Sequence, residues 1–121
     1  MFSLNGAITY KYLPRYQDMR GGYDKLCGVI RSLGYDPTDG SAYVFTSKDQ
    51  KLVKIIHYEN GQCQLYYQRF DKGQNFIKLT FRDSTPVYTL EWRYLVLLLE
   101  CPTVRQVSVE DPTSLDLLET A

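Results

Sequence analysis

The chain has a single histidine and three cysteines in 121 residues, and that scarcity removes most metal and nucleophile chemistry at once. Cys27, Cys63 and Cys101 form no CxxC pair, and one imidazole does not complete a Cys/His zinc site. The odd count without paired spacing reads as reduced thiols packed as small hydrophobes, as expected in a cytoplasmic protein. No apolar run approaches the length of a bilayer span, and no charged start precedes an apolar stretch, so a soluble, intracellular protein is expected. There is no GxxxxGK[ST] loop and no GxGxxG after a strand to cradle a phosphate. Net charge is also missing, with fourteen basic residues balancing fourteen acidic ones. A chain of this length supports one modest core.

What is present is tyrosine, eleven of them. Tyrosine suits strands and interfaces alike, since its ring packs while its hydroxyl stays wet. The charges are also unevenly placed. Residues 1–82 hold twelve Lys/Arg against seven Asp/Glu, whereas residues 83–121 hold two against seven. Such asymmetry fits a partner surface followed by an acidic tail, and it fits equally two solvated faces of opposite sign.

The strongest local signal is Asn60-Gly61 between two strand-like runs, because a type I′ turn needs positive φ at both central residues. A two-residue turn sets register, so Glu59 faces Gln62, Tyr58 faces Cys63, Ile56 faces Leu65 and Lys54 faces Tyr67. One face carries Leu52, Lys54, Ile56, Tyr58, Cys63, Leu65, Tyr67 and Arg69. The other carries Val53, Ile55, His57, Gln64, Tyr66 and Gln68, and its half-polar, aromatic character suits a contact surface.

Elsewhere Ile8–Tyr12 alternates as a first strand. Tyr23, Leu26, Cys27, Ile30 and Leu33 recur at helical spacing, with Asp18 or Asp24 in the first turn and Gly34 as the αL stop. Ala42–Thr46, Leu52–Tyr58, Cys63–Phe70 and Phe76–Arg82 follow with short connections that make neighbours antiparallel. Thr89 is placed to cap a helix over Leu90–Glu100, apolar most of the way round and hence buried on several sides or shared with a partner. The expected fold class is α+β: one compact domain over 1–101, an antiparallel β meander of four to five strands packed with two helices. Residues 102–121 form an acidic, partly ordered tail.

Catalysis finds little footing. His57 sits mid-strand without a positioned partner, Cys63 falls on the opposite hairpin face, and the aspartates lie in loops and caps rather than converging from strands. A hydrolase using Cys63 or His57 is the weakest reading. The expectation is a non-enzyme without cofactor or metal. Binding is easier to assemble: Arg20, Lys25, Lys54, Arg69 and Lys72 are candidate contacts to phosphate or an acidic partner, and Tyr58, Tyr66 and Tyr67 are stacking or packing candidates. The competing explanation is that such cations keep sheet edges from aggregating.

Two segments narrow this further. Asp18-Met-Arg-Gly-Gly-Tyr-Asp-Lys-Leu26 has the form DMRxG[FY]DxL. After it come Asp36-Pro37, Gly40, Tyr43-Val44-Phe45, the strand Lys54–Tyr58, and Tyr66-Tyr-Gln-Arg-Phe-Asp-Lys-Gly73. This order resembles the small TnpB-type accessory protein encoded beside the transposase in bacterial insertion-sequence-66 elements, over roughly residues 8–100. Gln68 stands where a basic residue usually precedes Arg69, Gly21 replaces a common lysine, and the acidic tail has no counterpart. The resemblance implies a non-catalytic partner in transposition, binding the transposase, element-end DNA or both. The alternative is a protein–protein adaptor that uses the leucine-rich helix as a homodimer or partner surface.

Overall fold

A computed structural model describes residues 5–13, 21–70, 75–76, 78–81, 85–100 and 106–109. The elements in chain order are β1 (Tyr10–Leu13), α1 (Tyr23–Ser32), β2 (Ala42–Thr46), β3 (Leu52–Glu59), β4 (Gln62–Arg69), β5 (Lys78–Thr80), β6 (Tyr88–Leu90), α2 (Trp92–Glu100) and β7 (Gln106–Ser108).

The Asn60-Gly61 turn forms as its residue types require, with φ of 52° and 73°. The β3–β4 register is the one the two-residue turn dictates, from Glu59↔Gln62 at the turn to Leu52↔Arg69 at the open end. β2 extends this hairpin on its other side, antiparallel to β3.

Beyond β2 the order departs from a simple meander. The five-stranded sheet runs β4-β3-β2-β1-β6, with β1 parallel to β2 and antiparallel to β6. Helix α1 supplies the crossover a parallel pair needs, so the first three elements make a β-α-β unit. The strand expected at Phe76–Arg82 does not continue from β4. Its described core, Lys78–Thr80, pairs in parallel with Gln106–Ser108 as a separate two-stranded sheet. That second strand falls in the stretch read as an acidic tail, and Val109 behind it is buried. Thr89 is not a helix cap: it lies in β6 opposite Lys11, and the first turn of α2 closes on the Glu91 carbonyl instead.

Alternation gives the sheet two apolar faces, each covered. Leu26, Cys27 and Ile30 of α1 pack on Leu13, Tyr43, Phe45 and Ile56. Tyr94, Leu95 and Leu98 of α2, with Phe76, Leu79 and Val109, pack on Tyr10, Tyr12, Val44, Val53 and Ile55. On the hairpin face that carries His57, Val53 and Ile55 are therefore core packed with α2, not an open contact surface. Helix α2 uses most of its circumference here, since Leu97 and Leu99 also lean on this core. Its exposed ring, Trp92, stacks on Tyr10 at 5.7 Å between centroids.

Helix α1 stops where its sequence says it should. Gly34 takes φ of 86°, its N–H donates to the Arg31 carbonyl and the Tyr35 N–H to the Ile30 carbonyl, the paired bonds of a Schellman ending. Asp24 sits in the first turn, on the favourable side of the helix dipole.

Candidate functional site

Strand register sorts the charges toward opposite ends of the sheet. At one end lie the β2–β3 connection, the start of β3 and the finish of β4, bringing together Lys48, Lys51, Lys54 and Arg69. Helix α1 begins at this end too, because the Lys54 ammonium donates to the Gly21 carbonyl at 2.9 Å. Lys25 lies against Gly21: a Cβ built there would fall 2.2 Å from the Lys25 Cδ. Any side chain at position 21 would therefore require Lys25 to move. Lys25, Lys48 and Arg69 are exposed, and Lys51 is half-buried. One acid of this region, Asp49, is engaged by the turn, accepting from the Ser47 hydroxyl (2.7 Å) and the Lys51 N–H (3.1 Å). These bonds hold its pKa below the ordinary carboxylate value.

Lys54 differs from the other cations. It is only 6% exposed, flanked by Phe45 on β2 and Tyr67 on β4, with its ammonium 5.7 Å from the Tyr67 ring centre. The structure makes it a strut between the hairpin and the loop entering α1. Among the tyrosines singled out from the sequence, Tyr67 is exposed at this basic end. Tyr66 points to the α2 side, where its hydroxyl donates to Gln68 Oε1 and where burial, then the Glu100 charge, raises its pKa. Tyr58 lies at the far end of β3. The structure thus brings together Lys25, Lys54, Tyr67 and Arg69, and separates Tyr58 and Tyr66 from them. Arg20 and Lys72 lie outside the described residues.

The opposite end is acidic and held by a network. Asp39 Oδ1 accepts the Ser41 N–H at 2.9 Å, while its Oδ2 accepts the Tyr43 hydroxyl at 2.9 Å and the Lys11 ammonium at 3.1 Å. The same tyrosine hydroxyl lies 3.1 Å from the Asp36 carbonyl oxygen, tying the Asp36-Pro37 turn to the sheet. Asp36 in turn accepts from the Thr38 hydroxyl and N–H. Asp36-Pro37, Gly40 (φ 90°) and Tyr43 thus belong to one piece of architecture. A cleft of about 620 Å³ opens beside it, lined by Asp39, His57, Tyr58 and Glu59 together with Asn5, Ala7, Ile8 and Thr9. Sequence reasoning did not find this cleft, because its walls come from three segments distant in the chain. His57 is 3% exposed, with Nδ1 3.5 Å from Gln64 Oε1 and 3.9 Å from Glu59 Oε2. Among the described residues no three of His, Cys, Asp and Glu stand close enough to share a metal ion.

The Asp39 network has a pH signature. Burial pushes the carboxyl pKa up, but the bonds from Ser41, Tyr43 and Lys11 outweigh it, so the folded-state pKa lies below the unfolded one. Its contribution is complete above the unfolded value of about 3.9 and disappears as pH falls through the folded value. Denaturant titrations of the wild type and Asp39→Asn are expected to differ most near neutrality and to converge in acid. A gap that widened on acidification would contradict this assignment.

The cysteines are also placed. Cys27 is buried and Cys63 exposed. Burial raises the Tyr23 hydroxyl pKa, and the neighbouring Cys63 and Cys27 thiols add to it. No helix among the described residues is long and apolar enough to cross a membrane.

Residues 10–109 match the family described as IS66 Orf2-like protein. No curated protein and no solved structure matches the chain. The matched span runs from the first residue of β1 to the residue after β7, taking in both sheets and both helices. The chain therefore belongs to the IS66 Orf2-like family, and is a transposition-associated accessory protein.

Proposed function

We propose that the protein acts in transposition without catalysing a step itself, by holding element-end DNA and the transposase of the same element through the basic end of its sheet. The observation that carries this reading is the convergence of exposed Lys25, Lys48 and Arg69 at one end, beside exposed Tyr67. Cations there neutralise phosphates, and an exposed ring offers a stacking surface for an unpaired base. Phosphate contacts release counterions, so affinity should fall steeply with salt.

A mobility-shift titration with element-end duplex at about 50 and 200 mM salt tests this. The wild type is expected to bind at the lower salt and weaken at the higher. Lys48→Glu combined with Arg69→Glu should cost roughly tenfold or more in affinity at the lower salt. No retardation at low salt would eliminate DNA as the partner. The adaptor reading, with no nucleic-acid contact, has its own support: Leu65 and Tyr67 are 41% and 53% exposed on β4. Capture of purified transposase that survives both charge reversals would favour it.

A further inference from the structure

We infer that β4 is a self-pairing edge: two copies of the chain join their five-stranded sheets through antiparallel β4–β4 pairing about a two-fold axis at Tyr66. β4 ends the five-stranded sheet, and among the described residues nothing pairs with its outer side. An exposed edge is a template for another strand, and proteins that keep such edges unpaired shorten, bulge or charge them. β6, at the other edge, is three residues long. β4 is eight residues long, pairs with β3 without a bulge, and carries no proline and no charge before Arg69 at its end.

Register decides which groups face outward. In a two-residue hairpin the pair beside the turn, Glu59 and Gln62, exchanges both backbone bonds, and pairs alternate from there. Cys63, Leu65, Tyr67 and Arg69 therefore turn their N–H and C=O groups away from β3. The bond from the Phe70 N–H to the Lys51 carbonyl agrees with this parity. The same residues carry the exposed side chains of the strand on the α1 side.

Only a two-fold centred on a residue keeps side chains of both strands on matching faces, because a one-residue slip inverts them. Centring on Leu65 or on Tyr67 leaves one of the four outward residues without a strand partner. Centring on Tyr66 uses all four, placing Leu65 opposite Tyr67 of the second copy and Cys63 opposite its Arg69. On the other face Gln64 then meets Gln68 of the second copy. Amide opposes amide, aliphatic opposes aromatic, and the strand's one cation meets a neutral partner, so the edge is complementary to itself. No acid or second base of the strand has to be accommodated.

Strand pairing alone buries a small interface, so association is measured at tens of micromolar or above, on the order expected for contacts of this size. Sedimentation equilibrium of the full chain should give a dimer. Leu65→Pro removes an outward N–H that β3 does not use, a substitution edge strands tolerate, and Leu65→Lys keeps the N–H but adds an edge charge. Both variants should sediment as monomers with the wild-type circular dichroism spectrum. A nitroxide on exposed Cys63, with Cys101→Ser, should report two backbones about 20 Å apart, six residue rises along the strand. A wild type that stays monomeric overturns the proposal, as does a dimer that both Leu65 variants leave intact. A monomer whose Leu65→Pro variant loses transposase capture would assign the edge to the transposase, and overturns it equally.

Discussion

Phe45→Ala is expected to destabilise the protein by about 3–5 kcal/mol, the largest effect of any single truncation considered. The ring is 1% exposed at the middle of the five-stranded sheet. It stands between Leu13 of β1 and Lys54 of β3 in the cross-strand register and beneath Leu26 and Ile30 of α1. Removing it leaves a cavity bounded by three strands and a helix, none of which can collapse alone without breaking its own ladder. Urea unfolding followed by circular dichroism measures this directly. A loss below about 1 kcal/mol would mean that α1 does not pack on this face as described.

Lys54→Ala is expected to cost roughly 2–4 kcal/mol, an unusual outcome for truncating a lysine. The ordinary lysine is solvated and its removal nearly silent. This one is buried, and its ammonium is the donor to the Gly21 carbonyl. Truncation leaves that carbonyl without this partner and empties the space between Phe45 and Tyr67. Lys54→Met, which keeps the stem but not the charge, should recover part of the loss. Arg69→Ala, exposed at the same end, should leave stability within about 0.5 kcal/mol of the wild type. The pair separates two roles that look alike in sequence. An unchanged urea midpoint for Lys54→Ala would refute the strut and return the residue to the contact surface.

That ambiguity shows where the sequence was readable and where it was not. The β3–β4 hairpin was legible to the residue, because Asn-Gly demands one turn and the turn demands one register. The α1 boundaries were legible too, since Gly34 and the apolar spacing are local signals. The place of β1 was not: its alternation marks a strand, but nothing within Ile8–Tyr12 says that it lies beside β2 in parallel. Nor does the hairpin declare which face goes inward. Both faces carry isoleucine and tyrosine, and the choice depends on where α1 and α2 dock. The face with His57, Gln64 and Gln68 looked like a surface because it is half polar, yet Val53 and Ile55 on it pack with Tyr94, Leu95 and Leu98 of α2. The opposite face runs out of cover at β4, because α1 packs over β2 and β3 and leaves Leu65 and Tyr67 open. Lys54 lies on the covered part of that face, Arg69 on the uncovered part.

The position of β1 also sets the order in which the chain can assemble. β3 and β4 meet within a few residues of each other and can zip on the microsecond scale of an isolated hairpin. β1 is synthesised early, yet it has a neighbour on each side only when residues 42–46 and then 88–90 have been made. Its second edge stays open until nearly three quarters of the chain exists. Such non-local closure is slow, because loop entropy is lost before the contacts that offset it form. On the ribosome, β1 with its buried tyrosines is the segment exposed to wrong pairing for longest. Chains released before Leu90 would carry β1 as the unfinished outer edge of a four-stranded sheet.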